Sequence, residues 1–222
     1  MRRTRPRPLR AVVSATAASA VLLMAGCAPT DDPAGERGDG QGRFTADVDV
    51  DTPELRAAKK QAGIDDCPAA PAESGAVPEG ALPQVTLPCL GGGADVDLST
   101  LRGPMVVNLW AQWCGPCREE LPYYQRLHER AGDRVEVLGV DYQDTRPDWA
   151  LDLLRETGVT FPSVADPGGE LRVPLRVRGL PGILFIDEGG RLVHQEFAVI
   201  ESYQQLTGLV EQHLGVAVGS AG

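Results

Sequence analysis

The chain has 222 residues, 42% hydrophobic and 5% aromatic, which suffices for one ordinary domain with a real core plus additional segments. Its formal net charge of −10 argues against electrostatic attraction to nucleic acid or to anionic lipid surfaces. Five cysteines point to an oxidising compartment if the chain is exported.

The N-terminus departs from that acidity. Arg2, Arg3, Arg5, Arg7 and Arg10 fall within the first ten residues, with no acid among them. Residues 11–26, AVVSATAASAVLLMAG, form an apolar run of 16, shorter than the roughly 20 residues that span a bilayer. A basic start, a short apolar stretch and small residues before a cut predict a signal peptide over residues 1–26. Met24-Ala25-Gly26-Cys27 resembles a bacterial lipobox, which would make Cys27 a lipidated N-terminus. Each buried CH₂ of its acyl chains would add about 0.8 kcal/mol of membrane affinity. The alternative is an ordinary signal peptide with a chance cysteine. A twin-arginine route is not supported by Thr4-Arg5-Pro6 after Arg2-Arg3. Removing residues 1–26 takes the charge to −15, so attachment to the membrane would have to come from the lipid.

Residues 27–80 are rich in Asp, Gly and Pro and predict a flexible acidic tether. Within it, residues 53–63 predict a short helix, with Thr52 as N-cap and Pro53 at the first helical position. A packed domain is expected over residues 81–216, with a flexible tail at 217–222. Leu82 to Leu90 and Ala94 to Leu98 predict two strands around Gly91-Gly92-Gly93. Met105 to Trp110 and Val135 to Val140 read as strands covered on both faces. Between them a helix is predicted from Cys114 to Arg130, kinked at Pro122. A helix around Asp148–Glu156 and a strand at Val159–Val164 follow. Ile183–Asp187 and Arg191–Ala198 predict a hairpin, and Glu201–Leu214 a closing helix. The fold class is α/β, a layered sandwich with a mixed central sheet.

The chemistry concentrates in Trp113-Cys114-Gly115-Pro116-Cys117, between a buried strand and a helix. Two intervening residues at a helix start bring both thiols within reach of a disulfide. The first sulfur also faces unpaired backbone N–H groups and the positive end of the helix dipole. Cys114 is therefore the expected nucleophile and Cys117 the resolving thiol, with exchange through a mixed disulfide at Cys114. A structural zinc site is not expected, because there is no second C-x-x-C and His128, His194 and His213 are scattered.

The run from Pro104 to Pro122, PMVVNLWAQWCGPCREELP, resembles the active-site region of TlpA/ResA-type membrane-anchored thioredoxins, and the resemblance extends over about residues 82–214. It implies a thioredoxin-like three-layer sandwich with an N-terminal hairpin extension and a strand–helix insertion between Asp141 and Pro167. It also implies disulfide exchange outside the cytoplasm with the Cys114–Cys117 pair and no further cofactor. Substrates would be exported protein thiols or disulfides, apocytochrome c among them, and a membrane thiol carrier would reset the site.

The resemblance makes Pro181, in Gly179-Leu180-Pro181, a cis proline lying against the disulfide, with the Leu180 backbone free to pair with an incoming peptide. An ordinary strand-leading proline is the alternative. Asn108 stands six residues before Cys114, where thioredoxins proper carry a buried aspartate, and it cannot titrate. Glu120, three residues after Cys117 on the same helix face, matches a glutamate of the ResA group and is expected to move protons to and from Cys117. Its alternative is a solvated acid beside Glu119. Trp113, Gly115 and Pro116 would form the contact surface with Leu180, while Trp110 is assigned to the core. Cys67 and Cys89 remain as a second disulfide, fastening the N-terminal extension, or alternatively a second redox relay.

Three other functions are weighed against this one. A thiol peroxidase would need Thr or Ser where Ala111 stands and Pro where Val107 stands. A copper-delivery lipoprotein of the same fold favours C-x-x-x-C with a distal histidine; here the spacing is C-x-x-C, and His194 is the candidate histidine. A non-catalytic binding lipoprotein would not need the whole W-C-G-P-C and proline set.

Overall fold

The computed structural model describes residues 48–69 and 76–219. The signal segment 1–26, Cys27, the tether stretches 28–47 and 70–75, and residues 220–222 lie outside the described residues.

The chain order is α1 (Pro53–Ala62), β1 (Thr86–Leu87), β2 (Val96–Asp97), β3 (Met105–Trp110), α2 (Gly115–Ala131), β4 (Glu136–Tyr142), α3 (Pro147–Thr157), β5 (Ser163–Asp166), β6 (Gly182–Ile186), β7 (Leu192–Glu196) and α4 (Tyr203–Leu214). Five strands form one sheet in the order β5-β4-β3-β6-β7, and β1 pairs with β2 apart from it. β3 runs parallel to β4, and β4 to β5, whereas β6 is antiparallel to both β3 and β7. The sheet is mixed, as expected.

Side-chain parity sorts the core into two faces. Val106 and Trp110 of β3 and Ile183 and Phe185 of β6 face the helices, against Leu121, Tyr124 and Leu127 of α2, Leu206 and Val210 of α4, and Leu154 of α3. Met105, Val107 and Leu109 face the other way, with Leu184 and Ile186. That side is covered by Leu87 and Val96 of the hairpin and by Leu171, Leu175 and Val177 ahead of β6. Helices, sheet, and hairpin with turns make the three layers.

Several boundaries differ from the sequence reading. The two hairpin strands expected over 82–90 and 94–98 shrink to two residues each. Pro83 and Pro88 lack N–H donors, and Asp97 caps a single 3₁₀ turn at Leu98–Thr100 instead of continuing the strand. The strand expected at 159–164 starts at Ser163, because Val159 N–H still donates to Leu154 O at the end of α3 and Pro162 has no donor. Pro122 lies inside α2, which continues through it to Ala131. Gly103–Pro104 is a cis bond that the sequence reading did not anticipate.

The larger correction concerns the tether, expected to run flexibly to residue 80. Residues 48–69 pack on the domain instead. Leu55, Ala58, Lys59 and Ala62 recur at helical spacing and form the inward stripe of α1. Val50 and Ile64 join the helix-side core. Thr52 caps the helix by accepting from Leu55 N–H, and Gly63, at φ 70, ends it. The Lys59 stem is buried, and its ammonium donates to Gly92 O at 2.8 Å and Asp66 Oδ1 at 3.1 Å. The tail is also shorter than expected: Val218 is buried in the core, and Ala217 O accepts from Arg134 Nη1 at 2.8 Å.

Candidate active site

β3 is buried along its whole length, apolar but for Asn108, and ends at Trp110, so the chain leaves the sheet through Ala111-Gln112-Trp113 before α2 begins. Asp144, in the loop after the neighbouring strand β4, holds that turn. Its Oδ2 accepts from Gln112 N–H at 2.8 Å, and its Oδ1 accepts from Arg146 N–H at 2.9 Å. Gln143 adopts φ 51, a left-handed conformation uncommon for a residue with a side chain, and its carbonyl accepts from Trp113 Nε1–H at 3.2 Å. Trp113 stays 55% exposed beside the cysteines, whereas Trp110 is fully buried.

Cys114 is the N-cap of α2, and Cys117 lies in its first turn. The two form a disulfide with Cα atoms 5.3 Å apart, and Cys117 N–H donates to Cys114 Sγ at 3.3 Å. A cap sulfur that accepts from the first turn is placed where a thiolate is stabilised by the same donor and by the helix dipole. Cys114 is 5% exposed and Cys117 1%. Gly115 and Pro116, between them, face solvent.

Glu120 follows one turn later and is buried, not a solvated partner of Glu119. Ile200 N–H donates to its Oε1, while Oε2 is enclosed with no hydrogen-bond partner. Burial pushes its pKa up to about 7, against the opposing pull of the Ile200 N–H. Asn108 is equally buried, and parity turns it to the helix face of the sheet. Tyr124, a turn beyond Glu120, has its phenol pushed well above its ordinary value by burial first and by the charges of Glu120 and Glu196 second.

The Leu180–Pro181 bond is cis, and Gly182 lies opposite Leu109 in the β3–β6 register. Pro181 therefore sits at the sheet end from which the turn to Cys114 departs. Phe197 closes over Gly182, where an added Cβ would stand 2.8 Å from its ring. Leu180 is partly buried between the two core faces.

The remaining expectations fall elsewhere. Cys67 and Cys89 form a disulfide with Cα atoms 5.9 Å apart. Cys89 makes an isolated bridge to Val164 of β5, so this bond joins the segment after α1 to the sheet edge. His194 stacks on His213 with ring centroids 3.9 Å apart. Among the described residues no group of three or more His, Cys, Asp or Glu is arranged to hold a metal ion.

The sequence reading missed Asp141 and Asp144. Asp141 lies opposite Trp110 in the β3–β4 register and is buried; burial, and then the charge of Asp144 and a hydrogen bond with it, push its pKa well above the carboxylate range. The only signal in the sequence was two acids three apart, one closing and one following a strand that is apolar after Glu136.

The comparisons with known proteins agree with this geometry. The AhpC/TSA family profile matches residues 78–195. The thiol:disulfide interchange protein HelX of Rhodobacter capsulatus is 37% identical over 114 residues, half of this chain and 62% of HelX. The thiol-disulfide oxidoreductase ResA of Bacillus thuringiensis is 30% identical over 123 residues, 54% of this chain and 69% of ResA. Among solved structures, DsbF of MTB matches with a TM-score of 0.53 at 25% identity, over 59% of this chain and 98% of that one. A secreted thiol-disulfide isomerase from Corynebacterium glutamicum matches with a TM-score of 0.51 at 25% identity, over 58% and 82%. With its C-x-x-C at the cap of α2 and a cis proline ahead of β6, the chain belongs to the AhpC/TSA family and, within it, to the thioredoxin-like thiol–disulfide oxidoreductases of ResA and DsbE type.

Proposed function

We propose that this protein exchanges thiols and disulfides with exported proteins on the outer side of the cell membrane, through Cys114 and Cys117. The observation that carries the reading is a cysteine pair at the cap of α2 with a buried carboxyl one turn below it, one of whose oxygens has no hydrogen-bond partner. In the reducing direction the Cys114 thiolate attacks a substrate disulfide, forms a mixed disulfide and expels one substrate thiolate. Cys117 then loses its proton and attacks Cys114 Sγ, releasing the second substrate thiolate and leaving the Cys114–Cys117 disulfide. Two electrons pass to the substrate, whose two sulfurs take up two protons. The oxidising direction is the reverse.

Glu120 is assigned the proton transfer at Cys117, because an acid that titrates near 7 both accepts and returns a proton at neutral pH. Asn108 does not titrate, so it leaves that task to Glu120. Pro181 closes the disulfide on its other side, and Trp113, Gly115, Pro116 and the Leu180 backbone receive the substrate peptide. The redox-active disulfide is the only redox group this scheme requires.

Location and partners belong to the same proposal. An export signal over residues 1–26 and lipid on Cys27 would hold the domain at the membrane, and among the described residues no helix is long and apolar enough to cross one. The likeness to HelX, ResA and a DsbE homolog supports protein thiols and disulfides as substrates; apocytochrome c among them, and a membrane thiol carrier as the resetting partner, are what the resemblance of the Pro104–Pro122 run implies.

The test is the reduction potential of the Cys114–Cys117 couple. A value near the roughly −270 mV of thioredoxin assigns reduction of substrates, and one near about −120 mV assigns disulfide donation. Finding no reversible two-electron couple would overturn the proposal.

A further inference from the structure

The proposed exchange leaves open which polypeptides are received beside Cys114. A groove of about 470 Å³ adjoins the cis proline and is lined by Arg176, Arg178, Gly179, Leu180, Gln195, Glu196 and Phe197. Its apolar side chains are Leu180 and Phe197, and its polar ones are two cations, Arg176 and Arg178, with Gln195 and the single acid Glu196.

Those arginines belong to an unusual stretch of this chain. Residues 171–186, LRVPLRVRGLPGILFI, carry Arg172, Arg176 and Arg178 and no acid, in a protein whose net charge is −10. Arg176 and Arg178 are exposed, and neither joins an ion pair among the described residues. The one acid lining the groove, Glu196, has His194 Nε2 3.6 Å from its Oε2. Arg176 also holds φ 51, a conformation that glycine adopts freely and an arginine adopts at a cost. A non-glycine residue kept in that conformation beside a reactive site points to use of its side chain.

We infer that this groove is the specificity surface of the enzyme and receives an acidic segment flanking the reactive cysteine of its protein substrate. The inference rests on the oxidoreductase reading and narrows its substrate class. Pairing along the Leu180 backbone sets the peptide's direction. Leu180 and Phe197 take an apolar side chain, and Arg176 and Arg178 take carboxylates. A bidentate carboxylate–guanidinium contact gives both direction and selectivity. Lysine-rich segments are repelled at the same point, against the attraction that the acidic surface elsewhere offers them.

The experiment uses the full-length protein and two disulfide-linked peptides that differ only in Asp-Asp or Lys-Lys beside the cysteine. At low salt the Asp-Asp peptide is expected to exchange at least about fivefold faster, with the ratio shrinking as salt screens the contact. The double variant Arg176→Glu, Arg178→Glu should invert that ratio. Arg176→Gly suits the left-handed backbone, so it should retain the thermal midpoint while reducing the ratio. Equal rates for the two peptides, or a ratio unchanged in the charge-reversed protein, would overturn the groove assignment while exchange itself continued. Failure of both peptides to exchange at all would remove the oxidoreductase reading, and the groove assignment with it.

Discussion

Glu120 carries the chemistry of the site into the stability of the fold. Its carboxyl titrates near 7 in the folded protein, against about 4.5 ordinarily, because burial disfavours the anion more than the Ile200 N–H favours it. Between those two values the folded chain holds a proton that the unfolded chain has released. Stability is therefore greatest below about pH 4.5 as far as this group is concerned, and it falls as pH rises through 7. The loss between pH 5 and 8 is on the order of 2 kcal/mol. Glu120→Gln removes it: the variant should unfold at a higher denaturant concentration than the parent at pH 8, with a flatter profile between pH 5 and 8. Its exchange rate should also lose an inflection near 7. An unchanged pH slope in both measurements would show that Glu120 is not the titrating group. Cys114, Cys117 and Glu120 were legible in the sequence because one helix fixes their spacing, whatever the rest of the chain does. Asp144 was not, because the N–H it receives belongs to Gln112, 32 residues earlier, and only the sheet brings the two loops together.

At the scale of elements, β4 shows how tightly the helix face is packed beneath the site. Gly139 pairs with Asn108 on β3 and with Ser163 on β5. An added Cβ there would collide with Ser163 Oγ and stand 2.7 Å from Trp110 Nε1. Gly139→Ala forces one of those fully buried neighbours to move, and the expected cost is about 1–3 kcal/mol in urea unfolding. A variant as stable as the parent would mean that β4 relaxes away from β5 freely. The central strands were legible because continuous apolar runs mark strands covered on both faces. Short elements were less so. Proline and glycine at the hairpin override the strand pattern of their neighbours, and α1 was legible as a helix but not as a packed one. Its inward stripe is completed by Lys59, whose type suggests solvent; the carbonyl of Gly92, the carboxylate of Asp66 and the sulfur of Cys89, all accepting from its ammonium, account for its burial.

For the molecule as a whole, the Cys67–Cys89 bond decides whether the segment carrying α1 acts as part of the domain. It joins residues 22 apart, linking the end of the α1 segment to a residue bridged to Val164 on the sheet edge. On the chain-entropy estimate, closing a loop of that size contributes about 3 kcal/mol. Cys67 is 6% and Cys89 1% exposed, a burial that the Cys114–Cys117 pair shares, so exposure alone does not separate a brace from a relay. Replacing both cysteines by serine should lower stability by about 3 kcal/mol, and the thermal midpoint by roughly 10 °C. The same variant should retain the potential of the Cys114–Cys117 couple, since the two disulfides are carried by separate elements, one by α2 and the other outside it. A relay predicts the opposite pattern: a second two-electron couple in the parent protein, and loss of turnover in the double serine variant with stability little changed. Measuring unfolding and turnover on the same pair of proteins separates the two, because a brace shifts the first and a relay the second.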